Sequence, residues 1–294
     1  MPLFYLLSGY FFQPVSPLRP FFQKKALTLL LPYVFFLLFD LFIFYILYNL
    51  SGEADQIFIS PGIAIHPYGV ATPLWFLLSL FEVIVIYRLI VLVVKNKWLQ
   101  WGVVVLLFYA GYYLSQFSIH LPLYADSSLS MILFFHTGYC LNHQLIRSMS
   151  LKWKYLLAYG GGILFVAGIL LQVKIDIKIN VVDQRSLLFL VVALGACWAI
   201  MVFSEWLAKF SNCLTKCLTV IGKDSLYIFA LHMLCFEIIK VILPMPENEK
   251  WIYGWGIILL IGGIALSWLI SLGIKKWLMA LQRFFYKRFV VETK

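Results

Sequence analysis

The sequence predicts an all-α integral membrane protein: a bundle of about eight full transmembrane helices preceded by an N-terminal half-helix. Of its 294 residues, 63% are hydrophobic and 12% are charged, and the mean hydropathy is +0.93. Soluble domains are roughly half apolar and a quarter charged, so this composition excludes an ordinary soluble protein. Helices are expected throughout, because lipid offers no hydrogen-bond partner to unpaired backbone groups.

The opening stretch, MPLFYLLSGYFF, is too short to cross a membrane. A span needs roughly 20 apolar residues, whereas this segment is interrupted almost at once by QPVSPLRP. It also lacks the basic region and the cleavage site of a secretory signal. The stretch therefore predicts the second half of a transmembrane helix.

Further apolar segments of spanning length follow, and they are joined by connections too short to hold a soluble domain. We predict spans at 26–48, 73–94, 99–117, 128–142, 154–171, 186–204, 224–243 and 252–274. The fourth is short and is expected to extend toward Asp126. The whole chain, 1–294, is therefore predicted to be a single membrane domain.

The basic residues indicate how the chain is oriented. Most of the 23 Lys and Arg residues fall in alternate connections and in the C-terminal tail, which is the pattern that sets topology. That side is predicted to be cytoplasmic, with the C-terminus on it. The same distribution excludes nucleic acid as the partner that a net charge of +10 would otherwise suggest. The longest outward connection, 49–72, is either a cover for a site at the outer face or a plain surface loop.

Polar side chains inside predicted spans are candidate functional groups, because each costs a few kcal/mol to insert. His232 lies near mid-membrane, on the same helix face as Ser225. This predicts a row of polar groups that leads from the cytoplasmic side to His232. The alternative is a neutral imidazole that is hydrogen-bonded to a neighbouring helix. His136 has the same two interpretations, proton transfer or structural contact. Glu237 and Lys240, three residues apart, are expected to pair with each other.

Two carboxylates and the cysteines complete the set of candidate groups. Asp40 and Glu82 are each expected either to pair with a base on another helix or to lie in a wet cavity. The five cysteines form no cluster with His at metal-ligand spacing, so no metal is expected. Motifs of soluble nucleotide, protease and kinase chemistry are absent. These residues leave two classes open, a multispan enzyme and a transporter or flippase.

Four segments occur together in an order and spacing that point to one family. They are MPLFYLLSGYFF, FFQKKALTLLLPYVFF, TPLWFLLSLF and IGKDSLYIFALHMLCF. Over essentially its whole length the chain resembles the membrane acyltransferase 3 family, within it the branch of fucose 4-O-acetylase-like and surface-polysaccharide O-acetyltransferases. The resemblance implies ten spans in a bacterial inner membrane. It also implies transfer of an acyl group, usually acetyl, from acetyl-CoA to a hydroxyl of a cell-surface glycan or a lipid-linked sugar.

The resemblance assigns roles to residues that match the family's motifs. Ser8 and Gly9 match a small-residue element that permits close packing near the site. Trp75 and Phe76 match an element expected to line the acceptor side. His232 matches the His of a late span and is expected to support catalysis.

A cytoplasmic loop is the expected place of the donor. Arg19, Lys24 and Lys25 lie in the loop predicted at 13–25, where their charges would meet the phosphates of CoA or would only set topology. Membrane lipid, the glycan acceptor and polysaccharide-synthesis proteins are the expected partners.

The family's catalytic base has no counterpart in this sequence. In the family it is a His of the first span, with an Arg about ten residues before it. The resemblance therefore implies that Met1 is an internal residue of the second span and that the base lies upstream. His232 and His136 remain supporting candidates. The alternatives are a glycan exporter or flippase, which would move glycan without acetylating it, and an inactive remnant.

Overall fold

The computed structural model describes residues 1–14, 17–51, 73–141, 149–173, 175–182, 184–210, 212–244, 246 and 248–286. These residues are almost entirely helical. The helices are α1 (Pro2–Tyr10), α2 (Leu18–Lys25), α3 (Leu31–Ser51), α4 (Trp75–Val93), α5 (Lys97–Gln116), α6 (Ala125–Cys140), α7 (Leu151–Leu170), α8 (Ser186–Leu207), α9 (Cys213–Lys223), α10 (Ser225–Ile242) and α11 (Glu249–Tyr286). A π-helical turn, Ala26–Leu30, joins α2 to α3, and a 3-10 turn, Pro122–Tyr124, precedes α6.

Seven helices in the described part of the chain are long and apolar enough to cross a membrane. They are Leu18–Ile43, Trp75–Val93, Lys97–Gln116, Leu151–Leu170, Ser186–Leu207, Ser225–Ile242 and Trp251–Tyr286. The predicted all-α multispan bundle is confirmed. The fourth predicted span, 128–142, is helical as α6 but has 16 residues as described, just below the usual length of a span.

The first helix, α1, is about half as long as a transmembrane span, as predicted. It contains 9 residues, which at 1.5 Å per residue make about 14 Å, roughly half the thickness of the hydrocarbon core. The fourth predicted span also begins where we expected, since Asp126 lies in the first turn of α6. Of the long connection predicted at 49–72, residues 52–72 lie outside the described residues.

The predicted loop at 13–25 is wrong over its second half. Helix α2 starts at Leu18, so the basic residues Arg19, Lys24 and Lys25 lie on a helix that continues into the first full span. The prolines around the start did not prevent this. Pro17 is the N-cap and Pro20 lies in the first turn, where a missing N–H and a fixed φ cost nothing.

The chain divides into two compact units. The first comprises Met1–Ser16 and Ser79–Thr215. Within it α6 packs against α1 and α5, and α7 packs against α8. Helices α7 and α8 touch backbone to backbone, because a β-carbon on Gly161 would lie 2.3 Å from the Gly195 carbonyl oxygen. The largest fully buried side chains of this unit are Tyr5, Leu6, Phe12, Tyr87, Phe108, Met131, Phe134, Phe135 and Phe189.

A small hairpin closes one end of the first unit. Strand β1, Ile175–Asp176, pairs antiparallel with β2, Val181–Val182. Asn180, in the turn of the hairpin, accepts a hydrogen bond from Ser130 Oγ at 2.7 Å and donates through Nδ2 to the Gly111 carbonyl at 3.0 Å. These bonds tie the hairpin to α6 and α5.

The second unit comprises Pro17–Leu78 and Lys216–Lys294. Its α10 packs against α11 and α3. The core between these helices consists of Phe36, Leu74, Leu77, Tyr227, Ala230, Leu231, Leu234, Cys235 and Leu278. An ion pair between Asp224 and Lys275 links the start of α10 to α11.

Candidate functional site

The contact between α1 and α6 positions the central part of the first unit. A β-carbon on Gly9 would lie 1.8 Å from the Phe135 carbonyl oxygen, and one on Gly138 would lie 1.9 Å from the Leu6 carbonyl oxygen. Only glycine leaves room for two backbones this close. The close packing predicted for the Ser8–Gly9 element is found at Gly9, with Ser8 half-buried beside it.

His136 lies at the centre of a cluster that this contact holds in place. Its side chain is 1% exposed, and its Nδ1 lies 2.7 Å from the Tyr87 hydroxyl on α4. Its Nε2 lies 3.6 Å from Cys140 Sγ, one turn further along α6. The Trp101 ring of α5 packs edge-on against the imidazole at 4.2 Å between centroids. His136 therefore bonds a neighbouring helix, as its structural interpretation predicts, and also faces a thiol.

A chain of buried hydroxyls links three helices of the same unit. The Tyr5 hydroxyl donates to Ser79 Oγ at 2.8 Å, and Ser79 Oγ lies 2.8 Å from Ser128 Oγ. Ser128 Oγ in turn donates to Glu82 Oε2 at 2.7 Å. The described partner of Glu82 is thus a hydroxyl rather than a base. Sequence reasoning found Glu82 but missed the other three, although the serine-rich start of α6 was a visible signal.

The second unit brings together three residues to which the family resemblance assigned roles: Trp75, Phe76 and His232. Trp75 packs edge-on against Phe76 at 6.3 Å between ring centroids, and Phe76 packs edge-on against Phe229 at 5.4 Å. The Phe229 ring lies 5.9 Å from the His232 ring. His232 Nδ1 donates to the Phe229 carbonyl at 2.8 Å, so this bond stays within α10 rather than reaching a neighbouring helix.

Among the described residues, Asp40 does not pair with a base on another helix, which was one of the two environments that we predicted. Its side chain is fully buried, and neither carboxyl oxygen has a hydrogen-bond partner among the described residues. The Cys235 thiol lies within electrostatic range. A buried polar group without a hydrogen-bond partner lowers the stability of the folded protein.

One cavity of the second unit has two basic residues in a mostly apolar lining. It has a volume of about 320 Å³ and lies between α11 and the segment that runs from α2 into the π-helical turn. Its polar lining includes Lys24, Gln282 and Arg283, and Gln282 Nε2 donates to the Leu27 carbonyl at 3.2 Å. Two cations and an amide beside apolar walls can hold a phosphorylated ligand whose remainder is apolar.

Of the three basic residues that the sequence predicted to contact the phosphates of CoA, Lys24 lines this cavity. Lys25 instead places its ammonium 6.0 Å over the Phe21 ring. Arg19 is exposed in the first turn of α2. Arg283 was missed because it lies more than 250 residues away in sequence, in what we predicted to be a tail.

A comparison with protein families finds a match over most of the chain. The model of an acyltransferase domain, acyltransferase 3, covers residues 1–272. No curated protein and no solved structure matches the chain.

Proposed function

The chain belongs to the acyltransferase 3 family, and on that premise we propose that it transfers an acetyl group from acetyl-CoA to a hydroxyl of a cell-surface glycan or a lipid-linked sugar. The family match covers the four segments that carry the resemblance and extends over most of the chain. An acyltransferase of this kind needs a site for an acyl thioester donor, a site for a hydroxyl and a group that moves a proton.

The observation that carries the donor assignment is the basic cavity between α2 and α11. CoA combines phosphates with a long, mostly uncharged arm, and the cavity combines Lys24 and Arg283 with apolar walls. Arg can bind phosphate through two parallel hydrogen bonds, whereas Lys acts as a point charge. Both charges lie on the face that the positive-inside pattern predicts to be cytoplasmic, where acetyl-CoA is available.

The acceptor assignment is supported by the aromatic residues at the start of α4. Trp75 and Phe76 lie beside Phe229 and His232 in the second unit. Aromatic faces are suitable surfaces for the apolar face of a sugar ring, and an imidazole can take a proton from a hydroxyl near neutral pH. We propose that this group contacts the acceptor.

The test uses the full chain in membrane vesicles, with radiolabelled acetyl-CoA and mildly de-O-acetylated surface glycan from the cells that produce the protein. We expect base-labile label in the glycan. The double change Lys24→Ala with Arg283→Ala should raise the KM for acetyl-CoA roughly tenfold, about 1.4 kcal/mol, with kcat less affected. Lys276→Ala is the matched control, because Lys276 is exposed on the same helix and does not line the cavity.

Two results would contradict the proposal. Labelled glycan that forms equally well in vesicles without the protein would show that another enzyme is responsible. Movement of glycan across the vesicle membrane without any change in its acetylation would show that the chain is an exporter.

A further inference from the structure

We propose that helix α9, Cys213–Lys223, lies in the membrane surface, with its apolar face in the lipid and its lysines bound to anionic phospholipid headgroups. This inference is independent of the proposed function. It assigns a partner to a helix that contributes nothing to the donor and acceptor groups described above. The arrangement of side chains around the helix, their exposure, the position of the helix in the chain and its charge all support the assignment.

The side chains of α9 are divided into two opposite faces. At about 100° per residue, all the apolar side chains of the helix fall within one arc of about 160°; they are Cys213, Leu214, Cys217, Leu218, Val220 and Ile221. The polar side chains, Thr215, Lys216, Thr219 and Lys223, lie on the other side. A complete separation of this kind is typical of helices that lie at a boundary between water and an apolar medium.

The apolar face of α9 is not covered by the part of the chain that the structure describes. No residue of the helix is buried, and its four aliphatic side chains are between 39% and 56% exposed. The helix has 11 residues, and isolated helices shorter than about 12–15 residues are only marginally stable in water. The helix therefore needs a further surface that buries its apolar face.

The ends of α9 are stabilised by local interactions. The Asn212 side chain accepts a hydrogen bond from the Thr215 amide at 3.0 Å, and the Thr215 hydroxyl oxygen accepts one from the Asn212 amide at 3.2 Å. Such a reciprocal pair caps the start of a helix. Lys223 lies in the last turn, where the helix dipole favours a cation. The sequence is thus suited to form a helix at this place once its apolar face is covered.

The position of α9 in the chain places it at a membrane face. The helices of spanning length before and after it, α8 and α10, end at Leu207 and begin at Ser225, so the connection between them lies on one side of the membrane. A single residue, Asp224, separates α9 from α10. Asp224 is buried and pairs with Lys275 of α11, which fixes this junction. A helix tied so closely to the end of a span has the lipid surface within reach of its apolar face.

The charges of the connection identify the kind of lipid. Residues 208–223 contain three lysines, Lys209, Lys216 and Lys223, and no acidic residue. Lys216 and Lys223 lie on the polar face of α9, beside the apolar face, as in helices that lie among lipid headgroups. A zwitterionic surface would cover the apolar face but would leave these cations without opposite charges. An anionic surface attracts each lysine that lies close to it and so fits both faces.

The test is amide hydrogen exchange of the full chain in lipid nanodiscs that hold one copy each. One set of nanodiscs contains only phosphatidylcholine, and the other contains about one-third phosphatidylglycerol. We expect the amides of 213–223 to exchange roughly tenfold more slowly in the anionic nanodiscs, because exchange requires the helix to leave the surface and open. High salt should remove this difference, because it screens charges at an exposed surface.

A charge variant and a matched control separate α9 from the rest of the membrane face. Lys216→Gln with Lys223→Gln should abolish the protection that phosphatidylglycerol adds. Lys95→Gln with Lys152→Gln also removes two exposed lysines, from connections predicted to lie on the same side of the membrane but outside α9. This control should leave the difference between the two kinds of nanodisc unchanged.

A second pair of variants tests the apolar face. Leu218→Gln places an amide in this face and should speed the exchange of 213–223 in both kinds of nanodisc. Leu99→Gln, the same change at an exposed leucine of α5, should have no effect on these amides.

Three results would overturn the proposal. Fast exchange of 213–223 in both lipids would show that no lipid covers the helix. Slow exchange in both lipids, whatever the salt concentration, would exclude anionic headgroups as the partner. A lipid-dependent difference that persists in Lys216→Gln with Lys223→Gln would show that other residues are responsible. The comparison of low and high salt uses the unaltered chain, so it decides the question even if a variant fails to fold.

Discussion

Gly9 on α1 and Phe135 on α6 are in backbone contact: a β-carbon on Gly9 would lie 1.8 Å from the Phe135 carbonyl oxygen. The contact is reciprocated by Gly138, which packs against the Leu6 carbonyl. His136 is the next residue after Phe135, so the crossing of these two helices determines where the imidazole lies. Because lipid is as apolar as the helix surfaces, there is no strong hydrophobic driving force between helices in a membrane. Close packing of this kind is therefore a main source of helix association.

We predict that Gly9→Ala destabilises the first unit strongly. The added methyl group would meet a backbone oxygen, which cannot move without shifting α6, so the cost should equal or exceed the usual cost of overpacking, about 1–3 kcal/mol. The measurement is the free energy of unfolding by SDS in mixed micelles. Gly102→Ala in α5 is the control, because nothing lies within 4 Å of the position that a β-carbon on Gly102 would take; alanine should stabilise that helix by up to about 1 kcal/mol. Equal effects of the two changes would contradict the close contact.

We predict that Ser128→Ala destabilises the protein by about 1–3 kcal/mol. Its hydroxyl lies between Ser79 and Glu82 in a buried chain, so its removal leaves polar groups without their partner. Ser204→Ala is the control, since that hydroxyl is exposed and bonds only a carbonyl of its own helix among the described contacts. A double-mutant cycle between Ser128 and Glu82 should show coupling, and additive effects would argue against the hydrogen bond.

We predict that Asp40→Val stabilises the protein by about 1–3 kcal/mol. The carboxyl is fully buried and has no hydrogen-bond partner among the described residues, so an apolar side chain removes the cost of desolvating it. Asp40→Asn should stabilise less, because an amide in the same place is still unpaired. Thermal unfolding in detergent micelles measures both. A lower midpoint for Asp40→Val would show that the carboxyl has a stabilising partner.

We predict that Glu205→Gln costs about 1–3 kcal/mol. Lys154 is 8% exposed, and its ammonium lies 3.0 and 2.8 Å from the two Glu205 oxygens. Loss of the carboxylate would leave a buried cation without its anion. Lys154→Met keeps the apolar stem and should cost less. The free energy of unfolding in mixed micelles measures both changes.

The matched control for this pair is Glu237→Gln. The predicted pair of Glu237 with Lys240 is confirmed at 2.7 Å, with both side chains well exposed. Lys240 lies near the end of α10 and can extend toward the membrane surface, so the change should cost less than about 0.5 kcal/mol. An equal cost for Glu205→Gln and Glu237→Gln would show that burial of Lys154 contributes nothing.

The sequence alone determined the fold class and the family. Long apolar segments in a chain with 12% charged residues leave only helices that satisfy their own backbone in lipid. Four motifs in register then identified an acyltransferase. The half-length of α1 and the pair Glu237–Lys240 were also predictable, because both depend only on residues close in sequence.

Only the tertiary structure decided which polar groups meet. Lys24 and Arg283 line one cavity, Tyr87 bonds His136, and Ser79 bonds Ser128. The members of each pair come from different helices, and no local pattern specifies which faces of two apolar helices come together. The start of α2 was missed for a related reason, because prolines that usually break helices are compatible with the first turn of one. Helix formation in a membrane follows from local composition and hydrogen bonding, whereas the site follows from packing, which joins residues far apart in the chain.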